Sequence, residues 1–199
     1  MKTSLKAFLF AFSILLIILL PQEVRLGNAY KLVYFHVPVT AVTIFSAMVL
    51  PLFHHKLELE AVKSLSISST IFAALHLVIS AFFMQVAWGG VIISEPKFTF
   101  SLILLIFLFI HTLLCFLDRK IARAYSFLSP AFIAYFYYLT TLAEFQLHPE
   151  RVAMPLLFYL PYFFTFPLVI AIYVDLARAI KKLYEPQRDF SLKFKEKLL

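Results

Sequence analysis

The sequence predicts an all-α, polytopic membrane protein of six transmembrane helices with both termini in the cytoplasm, and three observations lead there. The first is composition. The 199 residues have a mean hydropathy of +0.90, with 62% hydrophobic and 15% charged side chains, whereas globular domains are about 45–50% apolar and about 25% charged. The second is continuity: several apolar runs approach the roughly 20 residues a bilayer core requires, and they do not alternate as barrel strands do. The third is the placement of basic residues. Alternate polar segments hold fourteen of the Lys and Arg residues, against four in the segments between them, and the basic side is the cytoplasmic one.

The elements follow in order. Lys2 and Lys6 precede an apolar run over residues 7–20, closed by Pro21. The run has the basic start and apolar core of a signal peptide, but no small-x-small cleavage site follows, so it reads as a retained first helix. A polar link (21–31) leads to a second span at 32–53, and HHKLELEAVKS (54–64) is a charged link. The third span, 66–88, carries His76, and the fourth, 100–117, carries His111. A basic turn at 118–123 precedes a Tyr- and Phe-rich fifth span at 124–143. A link at 144–153 contains His148-Pro149, and the sixth span, 154–177, is interrupted by Pro155, Pro161 and Pro167. Residues 178–199 form a basic cytoplasmic tail, and the whole of 1–199 reads as a single domain without repeats.

Several function classes drop out. The single Cys115 excludes an internal disulfide, a CxxC pair and a CxxCH haem-attachment motif. A GxxxxGK[ST] loop is absent, which leaves nucleotide chemistry to a partner. The net charge of +7 is a topology signal and a contact with anionic headgroups of the lipid bilayer, so no nucleic acid is expected as a partner.

The unusual residues gather in WGGVIISEPKFT (88–99), between the third and fourth spans, which holds the only Trp and two of the three Gly. With this topology the link shares the outer surface with His36 and His148. Two outward imidazoles beside an apolar wall of Val91, Ile92 and Ile93 suit a planar metal macrocycle. The outward cations Arg25, Lys31, Lys97 and Arg151 suit its carboxylates. The same residues also read as interfacial histidines, prolines punctuating helix ends and headgroup contacts. Glu144, four residues before His148, would share a helix face with it and orient its ring.

KLVYFHVP (31–38) resembles the [KR]-x-x-Y-[FI]-H-V-P element of the cytochrome c biogenesis haem-handling protein C family (CcmC, within the CcmC/CcmF/CcsA superfamily). The 88–99 link is similar to that family's W-G-x-W-W-x-W-D-x-[KR]-x-T signature. Trp88, Gly89, Lys97 and Thr99 match it, and Glu95 stands for the usual Asp. LHP (147–149) stands where the family has its second outward histidine. Val91, Ile92 and Ser94 replace family tryptophans, and the Trp usual after HVP is missing, departures that fit a divergent member or a relative whose haem contacts have changed.

The resemblance implies a non-enzymatic, multi-pass protein of a prokaryotic plasma (inner) membrane with its active face outside. It would bind b-type haem non-covalently and transiently at that face and deliver it in cytochrome c maturation. His36 and His148 would be the axial iron ligands, and Trp88, Gly89, Glu95, Lys97 and Arg151 would contact the macrocycle. A membrane-anchored haem chaperone (CcmE-like) would receive the haem, and ABC-type transporter subunits (CcmA/CcmB-like) would power release of the loaded chaperone. Two alternatives remain open. One is a b-type membrane cytochrome: His76 lies twelve residues in from Trp88 and His111 twelve in from Thr99, so both are expected about 18 Å deep and facing one another. The other is a small-molecule transporter using the proline-broken sixth span.

Overall fold

The computed structural model describes residues 1–22, 26–142 and 156–196, with the side chains of 156 and 185–196 left aside. Among them the chain is helical without strands, in the order α1 (Thr3–Leu19), a 3-10 turn (Asn28–Leu32), α2 (Val33–Met48), α3 (Leu50–Lys56), α4 (Leu59–Trp88), α5 (Pro96–Leu117), α6 (Arg119–Ser126), α7 (Leu128–Leu142), a second 3-10 turn (Leu156–Tyr159) and α8 (Tyr162–Glu196). Four stretches are long and apolar enough to cross a membrane: Asn28–Met48, Leu59–Trp88, Pro96–Leu117 and Leu157–Tyr184.

The helices turn soluble-protein patterning inside out. On α4 the buried side chains include Ser64, Ser66, Ser68, Ser69, His76 and Ser80, while Ile71, Leu75, Val78, Phe82 and Val86 are exposed at intervals of three and four. In water such an apolar stripe would be a large unsatisfied patch. Facing lipid, with small hydroxyl residues between helices, it is the arrangement expected of a membrane bundle. The apolar centre lies where Ala47 and Leu50 meet Ala73 of α4, Leu104 and Leu108 of α5 and Ile133 of α7.

Several expected boundaries move, each for a local reason. The second span does not run unbroken over 32–53. It breaks at Val49 (φ −92°, ψ 4°), because Pro51, the second residue of α3, has no N–H for the preceding turn. The basic turn at 118–123 is instead the start of a helix. Asp118 caps α6, accepting from the amides of Lys120 (2.6 Å) and Ile121 (3.1 Å). The fifth span is divided at Phe127, leaving α7 only 15 residues long. The basic tail continues α8, which runs through Lys181 and Lys182 to Glu196. At about 1.5 Å per residue α7 measures about 22 Å against a hydrocarbon core of about 30 Å. Helix α1, of 17 residues, is also a shorter apolar helix. It leans on α8 through Phe12 against Phe164 (4.7 Å) and a Lys6–Asp175 ion pair.

Polar contacts set the register of the α4–α5 hairpin. His76 Nε2 meets Ser101 Oγ at 2.8 Å, and Ser66 Oγ meets His111 Nδ1 at 2.7 Å. Thr70, between the two, reaches Thr112 Oγ1 at 2.9 Å and the Leu108 carbonyl at 3.1 Å. His111 therefore lies level with Ser66, ten residues or about 15 Å along α4 from His76. The expected equal depth of His76 and His111 is not met. Counting inward from the two ends of the link assumed that α4 and α5 end together. In fact α4 overshoots the start of α5 by about seven residues, about 10 Å.

Candidate functional site

At the end of the bundle where the link joins α4 to α5, a cavity of about 120 Å³ is lined from α2 by His36 and Thr40, from α4 by His76 and Phe83, and from α5 by Lys97 and Ser101. Local sequence explains how each side chain gets there. Residues 33–38 are the opening turns of α2, where Pro38 is tolerated inside the helix and Tyr34 turns inward. The Tyr34 hydroxyl donates to the Phe158 carbonyl at 2.8 Å and ties the start of α2 to the turn before α8. His36 then sits half-buried, its ring stacked on that of His76 (centroids 4.8 Å, interplanar 29°) and near-parallel to Phe83 (6.4 Å, 10°). Trp88 stands edge-on to Phe83 at 5.5 Å, so an aromatic row runs from His76 through His36 and Phe83 to the link.

His76 is held at both ring nitrogens: Thr40 Oγ1 lies 2.8 Å from Nδ1 and Ser101 Oγ 2.8 Å from Nε2. Each hydroxyl has one hydrogen, and each also reaches a carbonyl four residues back, of His36 and of Lys97, at 2.8 Å. With both hydroxyls turned to those carbonyls, the ring can donate from both nitrogens as an imidazolium. With one hydroxyl turned to the ring, the neutral form is satisfied. Hydroxyl rotation thus accommodates either charge state without moving a helix.

The link gives two of the expected site residues, Gly89 and Glu95, plain structural work, and Thr99 with them. Gly89 closes α4 in the left-handed conformation (φ +74°), its amide donating to the Gln85 carbonyl at 3.1 Å. Glu95 is fully buried and caps α5, accepting from the Phe98 amide at 2.7 Å beside Pro96 in the first turn. Thr99 donates to the Ile93 carbonyl at 2.7 Å, which folds the link back on itself. The link leaves Val91, Ile93 and Ser94 exposed, the first two apolar. Arg25, Glu144, His148 and Arg151 lie outside the described residues.

Of the expected residues, then, His36 and Lys97 share one cavity, and Trp88 joins them through Phe83. His76 belongs to this group and not with His111. His111 is fully buried at the opposite end, where its Nε2 meets His54 Nε2 at 3.0 Å. Sequence reasoning missed Thr40, Phe83 and Ser101. The available signal was helical spacing, since Thr40 follows His36 by four residues and Ser101 follows Lys97 by four.

No protein-family model matches this chain, and no curated protein does.

The residues present suit haem in donor chemistry: an imidazole at the mouth, a lysine for a propionate and apolar walls. The enclosed volume does not suit it, since sites that engulf ligands of drug size span about 300–1,000 Å³. The cavity is therefore too small to enclose a macrocycle.

Proposed function

We propose that this chain is a haem-handling membrane protein that holds haem as cargo at the outer end of its bundle and presents it to a haem chaperone. The observation that carries the reading is the convergence of His36, Lys97 and Trp88, from three separate helical segments, on one end of the bundle. These are the residues through which the sequence resembles the CcmC family. Six crossings follow if α1 and α7 also span, with Lys56, Lys63, Arg119 and Arg123 on the cytoplasmic side and Lys97 outside. The membrane would be a prokaryotic plasma membrane.

Each residue has a chemical role in this reading. His36 offers an imidazole nitrogen to the iron, and the stacked His76 ring, itself fixed by Thr40 and Ser101, limits how far His36 can swing. His148 would complete the axial pair from the connection after α7. The Lys97 ammonium neutralises a propionate; the Arg151 guanidinium would neutralise the other. Val91 and Ile93 shield one edge of the ring from water. An open site of this kind leaves the opposite edge accessible to a CcmE-like chaperone. Energy for release belongs to CcmA/CcmB-like transporter subunits, and the chain itself acts as a scaffold and not as an enzyme.

The test is haem titration of the purified chain in detergent, followed at the Soret band. His36→Ala and His148→Ala should each abolish the low-spin spectrum, with partial recovery on adding imidazole. Lys97→Ala should weaken binding several-fold, because a propionate contact positions the ring without ligating iron. His111→Ala should leave the spectrum intact. Retention of the full spectrum by His36→Ala overturns the reading.

A further inference from the structure

At the end of the bundle opposite the cavity, three potential metal ligands come together without any role in the haem reading. His54 of α3, His111 of α5 and Cys115, one turn further along α5, are all buried, with ligand atoms within 4.8 Å of one another. His54 and His111 face each other through Nε2 at 3.0 Å, and Cys115 Sγ lies 4.0 Å from His54 Nε2 and 3.9 Å from His111 Nε2. We propose that His54, His111 and Cys115 form a three-coordinate binding site for monovalent copper.

Geometry supports it first. Around one ion with metal–nitrogen bonds of about 2.0 Å and a metal–sulfur bond of about 2.3 Å, a trigonal arrangement sets the nitrogens about 3.5 Å apart and the sulfur about 3.7 Å from each. The sulfur distances to Nε2 are within about 0.3 Å of this, although Sγ lies equally close to His111 Nδ1 at 3.9 Å, so binding turns the Nε2 edge of that ring toward the sulfur and parts the nitrogens by about 0.5 Å. Helix α3 is a single seven-residue segment set off from α2 at Val49, and a turn of the His54 side chain about its own bonds parts the nitrogens by that much.

Proton bookkeeping supports it next. His111 Nδ1 meets Ser66 Oγ, which meets Thr112 Oγ1 at 2.8 Å, which meets Thr70 Oγ1 at 2.9 Å, and Thr70 ends the relay on the Ser66 or Leu108 carbonyl. With every hydroxyl donating once along this relay, His111 carries its proton on Nδ1 and turns the Nε2 lone pair to the cluster, the tautomer a metal needs. His54 Nδ1, by contrast, is buried with no hydrogen-bond partner among the described residues. The polar engagement that holds this buried ring is through Nε2, toward the cluster.

Charge selects the ion. Cations flank the cluster: Arg119 reaches the Leu57 carbonyl, three residues from His54, at 3.3 Å, and Lys63 lies 5.0 Å over the ring of Phe116, next to Cys115. A divalent ion with one thiolate would add a net positive charge to this buried, cation-flanked place. Copper(I) with one thiolate adds none, and burying an uncompensated charge is expensive. Soft thiolate donors also favour copper(I). On binding, the Cys115 thiol proton leaves to solvent as the copper–sulfur bond forms. His54 shifts its proton from Nε2 to Nδ1, and no electron is transferred.

The test uses the full chain in detergent under anaerobic conditions, with copper(I) titrated against a chromogenic copper(I) chelator. The expected result is one copper per chain, with affinity reduced at least tenfold in Cys115→Ser and in His54→Gln while helical circular dichroism is unchanged. X-ray absorption on the copper-loaded natural chain should show one sulfur and two nitrogen scatterers, which keeps the test decisive if a variant misfolds. Haem binding should be the same in Cys115→Ser as in the natural chain, so the two sites fail or succeed separately. Undiminished copper binding by Cys115→Ser, a coordination sphere without sulfur, or zinc(II) displacing an equal concentration of copper(I) would each overturn the proposal.

Discussion

Replacing Glu95 by Ala separates the two roles this residue could have. As a haem contact at the outer face, its loss should reduce haem retention and leave the fold alone. As the cap of α5, its loss should do the reverse. The carboxylate is fully buried and accepts from the Phe98 amide at 2.7 Å, next to the positive end of the α5 dipole. Removing an N-cap costs about 0.5–2 kcal/mol, and leaving a buried amide unsatisfied about 1–3 kcal/mol; both describe the same lost bond, so about 1–2 kcal/mol is expected. For a chain of this length that corresponds to a fall in Tm of about 2–8 °C. Glu95→Asp supplies a better capping side chain at the same charge and should restore most of the loss. Thermal unfolding in detergent, followed by circular dichroism at the helical band, measures both. Haem bound per folded chain, read at the Soret band, should change by less than about twofold. An unchanged Tm in Glu95→Ala together with a lost haem spectrum refutes the capping argument.

Two further outcomes are expected. Gly89 and Gly90 both have open space where a Cβ would go, but only Gly89 has positive φ. Gly89→Ala should therefore destabilise by about 1–2 kcal/mol while Gly90→Ala should be near neutral, compared by the same thermal unfolding; equal losses at the two positions would count against the left-handed cap. Burial, then the nearby Arg119 and Arg123 guanidinium groups, hold the His54 pKa below its ordinary value, so the folded protein keeps it neutral. Its contribution to stability is thus fully present above about pH 6.5, the value for an unfolded histidine, and is lost as pH falls toward the depressed folded value. The midpoint of unfolding in chelator-treated protein should fall below that pH, and His54→Gln should flatten the dependence.

The class of the protein was legible residue by residue. Long apolar runs are a local property, and helices Leu59–Trp88, Pro96–Leu117 and Leu157–Tyr184 lie where those runs predict them. The link was legible as an unusual stretch, but the work its residues do was not. Gly89 and Glu95 stood out by their rarity among apolar spans, and in the fold they end one helix and begin the next. Helix termini expose unpaired amides and carbonyls wherever they occur, so capping chemistry concentrates there whether or not a ligand does. Breaks at Val49 and Phe127 also escaped a reading by hydropathy, which sees one apolar run on both sides of each.

Which histidines meet was decided by tertiary structure alone. Sequence offered His36 with His148 and His76 with His111. The fold stacks His36 on His76 and brings His111 to His54 and Cys115. The partners in these contacts are 40 and 57 residues apart, on helices whose rotation and axial offset no single run encodes. In a bundle whose outer faces are all apolar, hydrophobicity cannot say which face turns inward or how far one helix slides along another. The small hydroxyls settle both. Ser66, Thr70 and Thr112 lock α4 to α5 at one level, and Thr40 and Ser101 fix His76 at another. Unpaired polar groups are costly in an apolar interior, so the register that pairs these hydroxyls is the one adopted, and the depth of every histidine follows from it.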